Sequence, residues 1–209
     1  DGFFSSYEDI ASSPVQFGQV SRPGDIKYKD LNHDGVIDSN DQAPIGYNPV
    51  PEMTFSLAAG LNWKGIDFSI LLQGAARSSI YLQQDIAWDN FWGNYYEEHI
   101  GRWTPETAAT ATYPRFTKAA TAAHPNYYKS DYWLKDSKYL RLKNIQLGYT
   151  IPRKLLKKFG VRSLRVYANA YNLFTWDNVK KVDPESSNNS NGQFYPQQKV
   201  INFGINLNF

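Results

Sequence analysis

Apolar and polar residues alternate one for one over five stretches of this chain. In Met53–Trp63, Phe55, Leu57, Ala59, Leu61 and Trp63 share one face, while Thr54, Ser56, Ala58, Gly60 and Asn62 share the other. After a turn at Lys64-Gly65, Ile66, Phe68, Ile70 and Leu72 alternate with Asp67, Ser69 and Gln73, Leu71 being the exception. Ile145, Leu147, Tyr149 and Ile151 alternate with Asn144, Gln146, Gly148 and Thr150. Leu164, Val166, Ala168 and Ala170 then oppose Arg165, Tyr167, Asn169 and Tyr171, and Ile201, Phe203, Ile205, Leu207 and Phe209 oppose Val200, Asn202, Gly204, Asn206 and Asn208. Period two is the signature of β-strands. The phase breaks near Leu140–Lys143, where a bulge resets it.

Five strands of roughly ten residues exceed the usual strand length. At about 3.3 Å per residue and a tilt near 45°, such a strand crosses a hydrocarbon layer. The connections are strongly unequal. Asn62–Gly65 and Pro152–Gly160 are short, whereas 11–50, 77–137 and 176–198 are long. Short turns at one end and long loops at the other are the pattern of an outer-membrane barrel. A soluble antiparallel sandwich also alternates and stays open on periodicity alone. The expected order is a segment 1–50, a transmembrane hairpin 51–76, a long loop 77–137, and three strands within 138–209 separated in part by loop 176–198. The basic run Arg153–Gly160 reads as a solvated turn with one helical coil, and GDIKYK (Gly24–Lys29) as a short strand.

Composition narrows the function classes. The chain is 16% aromatic, yet its mean hydropathy is −0.55, which suits rings that meet water, sugar or a membrane interface. A net charge of +2 without a basic run among aromatics argues against nucleic acid. Cysteine is absent, which removes disulfides, thiolate metal sites and cysteine nucleophiles. No apolar stretch approaches a transmembrane helix, and DGFFSSYEDI lacks the basic and apolar regions of a signal peptide. His33, His99 and His124 fall in no zinc spacing, and Asp183 and Glu185 read as an ordinary polar turn, so no catalytic residues are assigned and an enzyme is not expected. The sequon Asn188-Asn189-Ser190 reads as accidental.

One segment carries chemistry of its own. DLNHDGVIDSND (Asp30–Asp41) matches an EF-hand-type calcium loop. Asp30, Asn32 and Asp34 fall at positions 1, 3 and 5, Gly35 at the sharp turn, Val36 where a carbonyl is needed, and Asp38 at position 9. Asp41 stands where glutamate is usual, so it has to reach further. The four carboxylates would repel one another without a cation, and calcium is therefore the expected cofactor. No helix pattern precedes Asp30, so the loop is expected to clamp a surface segment by itself. Residues 77–137 hold 13 aromatic side chains, too many for a loosely solvated loop. Most are expected to pack on each other, and Trp88, Trp92, Tyr95, Tyr96 and Trp103 are candidates for contact with a substrate or partner.

Taken in order, PGDIKYKDLNHDGVIDSNDQAPIG, GRWTPETAATATYPRF, SDYWLKDSKYLRLKNIQLGYTIP, LRVYANAYNLFTW and INFGINLNF resemble the C-terminal segments of SusC/RagA-like outer-membrane proteins. The resemblance spans almost the whole chain. It implies the last strands of a 22-stranded barrel with an internal plug, energised through the TonB complex. It also implies a SusD-like surface lipoprotein as lid, and glycans or peptides as substrates. The implied location is the outer membrane of a Gram-negative bacterium, with membrane lipid around the strands, the long loops extracellular and the C-terminus periplasmic. Phe209 resembles the terminal aromatic by which barrel proteins are recognised for insertion. Five strands leave two unpaired edges, so the remaining strands and plug are expected to lie outside this sequence. A passive porin-like channel and a soluble calcium-stapled adhesion or scaffold sandwich are the rival readings.

Overall fold

A computed structural model describes residues 2–118, 123–180, 182–185 and 195–209. The sequon at Asn188 lies outside the described residues. In chain order, helix α1 (Tyr7–Ala11) precedes the short strands β1 (Val15–Gln16) and β2 (Val36–Ile37). Two long strands follow, β3 (Met53–Trp63) and β4 (Ile66–Ala76), then the short β5 (Ser79–Tyr81) and β6 (Leu134–Asp136). The chain continues through β7 (Tyr139–Thr150), α2 (Arg153–Leu156), β8 (Ser163–Asp177) and β9 (Val200–Asn208).

The five long strands form one antiparallel sheet in the order β3-β4-β7-β8-β9, so each pairs with the next long strand along the chain. Lys64 and Gly65 both have positive φ, at 48° and 88°, and make the two-residue turn that fits the right-handed twist of a hairpin. Glycine is required there because Thr150 O stands where a side chain would begin. The basic run before Gly160 folds as α2 and a further turn of tight helix, as expected.

Register joins the five alternating patterns into two continuous faces. On one, Trp63, Ile66, Tyr149, Val166 and Ile205 form a row, and Leu61, Phe68, Leu147, Ala168 and Phe203 the next. Ala59, Ile70, Ile145, Ala170 and Ile201 continue it, followed by Leu57, Leu72, Leu142 and Phe174. The opposite face carries Gly60, Ser69, Gln146, Asn169 and Asn202 in a single row, and Ser56, Gln73, Arg141 and Thr175 in another. The bulge lies where the phase broke: Leu71 pairs with Asn144 and Leu72 with Leu142, leaving Lys143 unmatched. One extra residue keeps Leu140 and Leu142 on the same side as Ile145.

The apolar face is open. Leu147 stands on β7, the central strand, yet is 56% exposed, and Phe203 on β9 is 83% exposed. Among the described residues no second sheet covers that face. A sandwich buries the apolar sides of its two sheets against each other, whereas an apolar side left open suits lipid. Trp63 and Tyr149 mark one end of the apolar band and Phe174 and Trp176 the other, as the two aromatic girdles of a barrel wall do. No described helix is long and apolar enough to cross a membrane; the crossing elements are strands.

The chain divides into two compact units, and the long sheet belongs to one of them. The other is built from the segment up to Gly46 and from Tyr81–Leu134. Its core holds Phe4, Ile26, Ile37, Trp88, Tyr113, Tyr127 and Trp133. Gly24–Lys29 forms no strand, contrary to the alternation read there; only Ile26 makes a single bridge, to Phe3. Gly24, Asp25 and Lys27 bond to the backbone of Gly2 and Phe4, while side chains take the backbone groups of Ile26 and Tyr28. Asn126 Oδ1 accepts from Ile26 N–H at 2.9 Å, Gln16 Oε1 from Tyr28 N–H at 2.6 Å, and Gln16 Nε2 donates to Ile26 O at 3.1 Å.

Two-facedness has a direct test. Arginine in place of Phe203 or Ile70 should cost about 2–4 kcal/mol in unfolding from lipid if the site lies at mid-membrane, and much less at Asn206 or Ser69. Equal tolerance on the two faces would contradict the assignment of the apolar side to lipid.

Candidate functional site

The polar face of the sheet carries two ion-pair groups. Near the short-turn end, Asp67 on β4 and Arg165 on β8 meet in a bidentate pair across β7, with Arg165 Nε 2.9 Å from Asp67 Oδ1. They pass over Gly148, where an added Cβ would collide with both side chains. Near the long-loop end, Arg141 is fully buried. Its Nη2 lies 2.7 Å from Asp183, its Nη1 3.3 Å from Glu185, and its Nε donates to Thr175 Oγ1 at 2.9 Å. Lys143, the bulge residue, reaches Glu185 at 2.9 Å. Asp183 also accepts from the amides of Glu185 at 2.9 Å and Gln197 at 3.2 Å. The loop after β8 is thus pinned to the polar face by two acids and two bases. Asp183 and Glu185 are not the ordinary polar turn that the sequence suggested. Their partners lie some forty residues upstream, and local composition carries no sign of the pairing.

The aromatic loop is organised around a buried acid. Asp89 is completely buried; its carboxylate accepts from the Tyr127 hydroxyl, from Thr117 N–H at 2.9 Å and from the Tyr113 hydroxyl at 3.3 Å. Burial first, and the Asp89 carboxylate after it, raise the Tyr113 phenol far above its ordinary range, so the hydroxyl stays a donor. A second buried acid, Asp25, pairs with Arg115 Nε at 2.6 Å and accepts from Asn126 Nδ2 at 3.0 Å. His99 is buried as well. Its Nδ1 accepts from Tyr96 N–H at 3.1 Å and its Nε2 stands 3.3 Å from Ala87 O, which makes it a strut of the loop.

The five candidate aromatics separate on this scaffold. Trp88 departs from the expectation: it is buried, with Tyr127 at 4.7 Å and Phe91 at 5.6 Å between ring centres, and stacks on protein. Trp103 is half-buried against the backbone of Gly24. Trp92, Tyr95 and Tyr96 are exposed, on either side of the turn at Gly93. Trp92 packs edge-on against Phe91 at 6.0 Å, Tyr95 lies 5.5 Å from Phe116, and the Tyr96 hydroxyl donates to Asp85 O. These three rings are held from behind and open in front, the arrangement of a stacking surface.

The acidic loop turns sharply at its glycine. Gly35 takes φ 84° at the sharp turn, and Ile37 is buried on β2, which pairs in parallel with β1. Each carboxylate is turned to nitrogen donors. Asp30 accepts from His33 and Gly35 N–H at 2.6 and 2.9 Å, Asp41 from Leu31 and Asp38 N–H at 2.7 and 2.9 Å, and Asp38 from Asn40 N–H at 2.7 Å. Asp34 takes Val36 N–H and the Asn32 side-chain amide, both at 2.9 Å. Among the described residues no three acidic or histidine side chains converge on one point as a metal-holding group. The donor set, four carboxylates, an amide oxygen and the Val36 carbonyl, fits a hard oxygen-seeking cation in chemistry. Phe209, the expected assembly signal, follows β9 and is exposed.

A sheet with one lipid-ready face, one polar face bearing ion pairs, and aromatic girdles at its ends is a stretch of outer-membrane barrel wall. Comparison with known proteins agrees. No protein-family model matches the chain. It is 31% identical, over its full length, to TonB-dependent receptor P26 of Formosa agariphila, of which it covers 22%. TonB-dependent receptor P3 of the same organism is 27% identical over 90% of the chain, which covers 19% of that protein. TonB-dependent receptor SusC of Bacteroides thetaiotaomicron is 26% identical over 92% of the chain, which covers 18% of it. The chain therefore spans about a fifth of the length of these relatives. In fold it matches the RagAB peptide importer in its open-open state (TM-score 0.64, 23% identity, 84% of this chain and 19% of that one). The closed-closed state gives 0.64 at 22% identity, covering 92% and 20%. The chain is homologous over its full length to TonB-dependent receptors, SusC among them, and corresponds to a segment of such an outer-membrane protein.

The charge latch at Arg141 predicts a pH dependence. Burial pushes the Asp183 carboxyl up, but hydrogen bonds from Arg141 and the Glu185 amide outweigh it and hold the group below its ordinary value. With the folded-state value depressed, the pairing stabilises the loop fully above the ordinary aspartate range and is lost as pH falls through the depressed value. Exchange protection of the Glu185 and Gln197 amides should hold from neutral pH down through the ordinary aspartate range and be lost only at more acidic pH. Asp183→Asn should abolish that dependence; a midpoint near neutrality would contradict the assignment.

Proposed function

We propose that this chain supplies wall and external loops of an active importer, which takes oligosaccharides or peptides through the outer membrane with energy from the TonB complex. The observation that carries the reading is the continuous pair of faces, apolar and polar, in a chain homologous throughout to TonB-dependent receptors. The long connections lie at one end of the sheet and the two short turns at the other. With β9 ending in the periplasm, the loops at 11–50, 77–137 and 176–198 face outward. Trp92, Tyr95 and Tyr96 then offer stacking surfaces to a substrate or to a SusD-like lipoprotein closing over the barrel. The edge strands β3 and β9, each paired on one side among the described residues, find their other neighbours in strands beyond this sequence, because an open edge in hydrocarbon is untenable.

Uptake by cells carrying the whole transporter should cease when TonB is removed, and a surface lipoprotein should co-purify from native membranes. Uptake that persists without TonB would favour a passive channel. In the same cells, deleting Phe209 should lower the amount inserted while leaving uptake per inserted molecule unchanged. Reduced uptake at normal insertion would refute its role in assembly.

The loop Asp30–Asp41 is proposed as a calcium clamp on the outer surface, held by Asp30, Asn32, Asp34, Val36, Asp38 and Asp41. Binding has to exchange the amide hydrogen bonds of these side chains for bonds to the ion. Extracellular calcium suffices to fill even a weak site of about 10⁻⁴ M. Asp34→Ala should remove the ion, measured by metal analysis and by calcium-dependent protection of the loop from protease; full occupancy in that variant would contradict the ligand set.

A further inference from the structure

The end of the sheet that carries the short turns is charged in one sense only. Beyond the row of Trp63, Ile66, Tyr149, Val166 and Ile205 lie the turn Lys64-Gly65 and the run from Arg153 to Arg162. Thr150 N–H donates to Gly65 O at 2.7 Å, so the two turns sit side by side. Together they present Lys64, Arg153, Lys154, Lys157, Lys158 and Arg162, all exposed. The acidic side chain at this end, among the described residues, is Asp67, and Arg165 already holds it. The sequence has no Asp or Glu between Asp136 and Asp177, and none of the six cations has an ion-pair partner among the described residues.

Apolar side chains are interleaved with the charge. Leu156 turns inward and is buried, whereas its neighbour Leu155 is 65% exposed and Phe159 75% exposed. The lipid face reaches the turn without a break: Ile151 N–H donates to Leu164 O at 2.8 Å, and Leu164 pairs with Leu207. Lys64 lies 4.9 Å from the centre of the Trp63 ring, within the aromatic girdle. Such a mixture suits the boundary where acyl chains give way to headgroups. Apolar side chains and aliphatic stems enter the boundary, while the charged tips stay among phosphates. We propose that the two turns anchor the barrel to anionic phospholipid, with Leu155 and Phe159 at the acyl boundary and the six cations against the headgroups. Two observations select this occupant: the turns continue the lipid face, and their charge has no answer within the described protein. A zwitterionic headgroup brings no net charge to offset the cations, and a soluble acidic partner would leave the continuity with the lipid face unused. With β9 ending in the periplasm, the leaflet is the periplasmic one, a placement that rests on the orientation proposed above.

The test uses the whole transporter in lipid discs of phosphatidylglycerol and phosphatidylcholine in equal parts, with retained lipids read by native mass spectrometry. The wild type should retain phosphatidylglycerol in excess, and the excess should shrink when the discs are prepared at higher salt. Replacing Lys154, Lys157 and Lys158 by Gln should lower the excess by about fivefold for each cation removed. Replacement by Arg should preserve it, which separates loss of charge from loss of fold. Lys138→Gln with Lys180→Gln, at the opposite end of the sheet, should leave it unchanged; an equal loss there would reduce the effect to net charge and overturn the anchor. An environment-sensitive fluorophore on Phe159→Cys should report an apolar setting in phosphatidylglycerol discs. Equal retention by the wild type and the triple Gln variant, or a fluorophore fully in water, would also overturn the proposal. A membrane-impermeant maleimide on intact cells tests the leaflet separately: Tyr195→Cys, in the loop before β9, should react and Phe159→Cys should not. The reverse pattern would overturn the orientation and the periplasmic placement together. The expected labelling without a preference for phosphatidylglycerol would overturn the lipid anchor alone.

Discussion

A bilayer offers no hydrogen-bond partner to a peptide group, and the sheet follows from that constraint. Every backbone N–H and C=O within the hydrocarbon has to be paired, so the strands run long and antiparallel and follow one another without gaps. Once the backbone is satisfied, only side chains face outward, and they have to be apolar on one face. The polar face is then free to carry Asp67, Arg165, Arg141 and Lys143, because opposite charges instead of lipid meet them there. Charge on this side is useful in proportion to how well it is excluded from the other.

The strands were legible because period two is a local property. Phe203, Ile205 and Leu207 declare a face within a few residues, and the phase break near Lys143 announces the bulge before any partner strand is known. The turn at Lys64-Gly65 was equally plain, since Gly65 is the residue type that a positive φ favours. What could not be read depends on distance along the chain. Asp183 looks like any loop aspartate until Arg141 is placed beside it. Trp88 and Trp92, four residues apart, differ in burial, and Tyr127 packs on the first. Gly24–Lys29 alternates as a strand does, yet the amides of Tyr28 and Ile26 are taken by Gln16 and Asn126.

The candidate site follows the same division. The acidic loop was legible as a donor set, since the positions of Asp30 through Asp41 are a local spacing. Its amide-bonded arrangement was not, because backbone N–H groups compete for carboxylates and sequence does not weigh that competition. The exposed trio Trp92, Tyr95 and Tyr96 needed the structure, for exposure is settled by what packs behind a ring.

The bidentate pair of Asp67 and Arg165 across Gly148 has a consequence for assembly. It fastens β4 to β8 over the top of β7, tying three strands through one contact. A slip of β4 or β8 by a single residue would turn its charge from the water-filled side into hydrocarbon, a penalty far larger than the loss of the contact itself. The pair therefore forms only in the register that keeps both charges on the polar face.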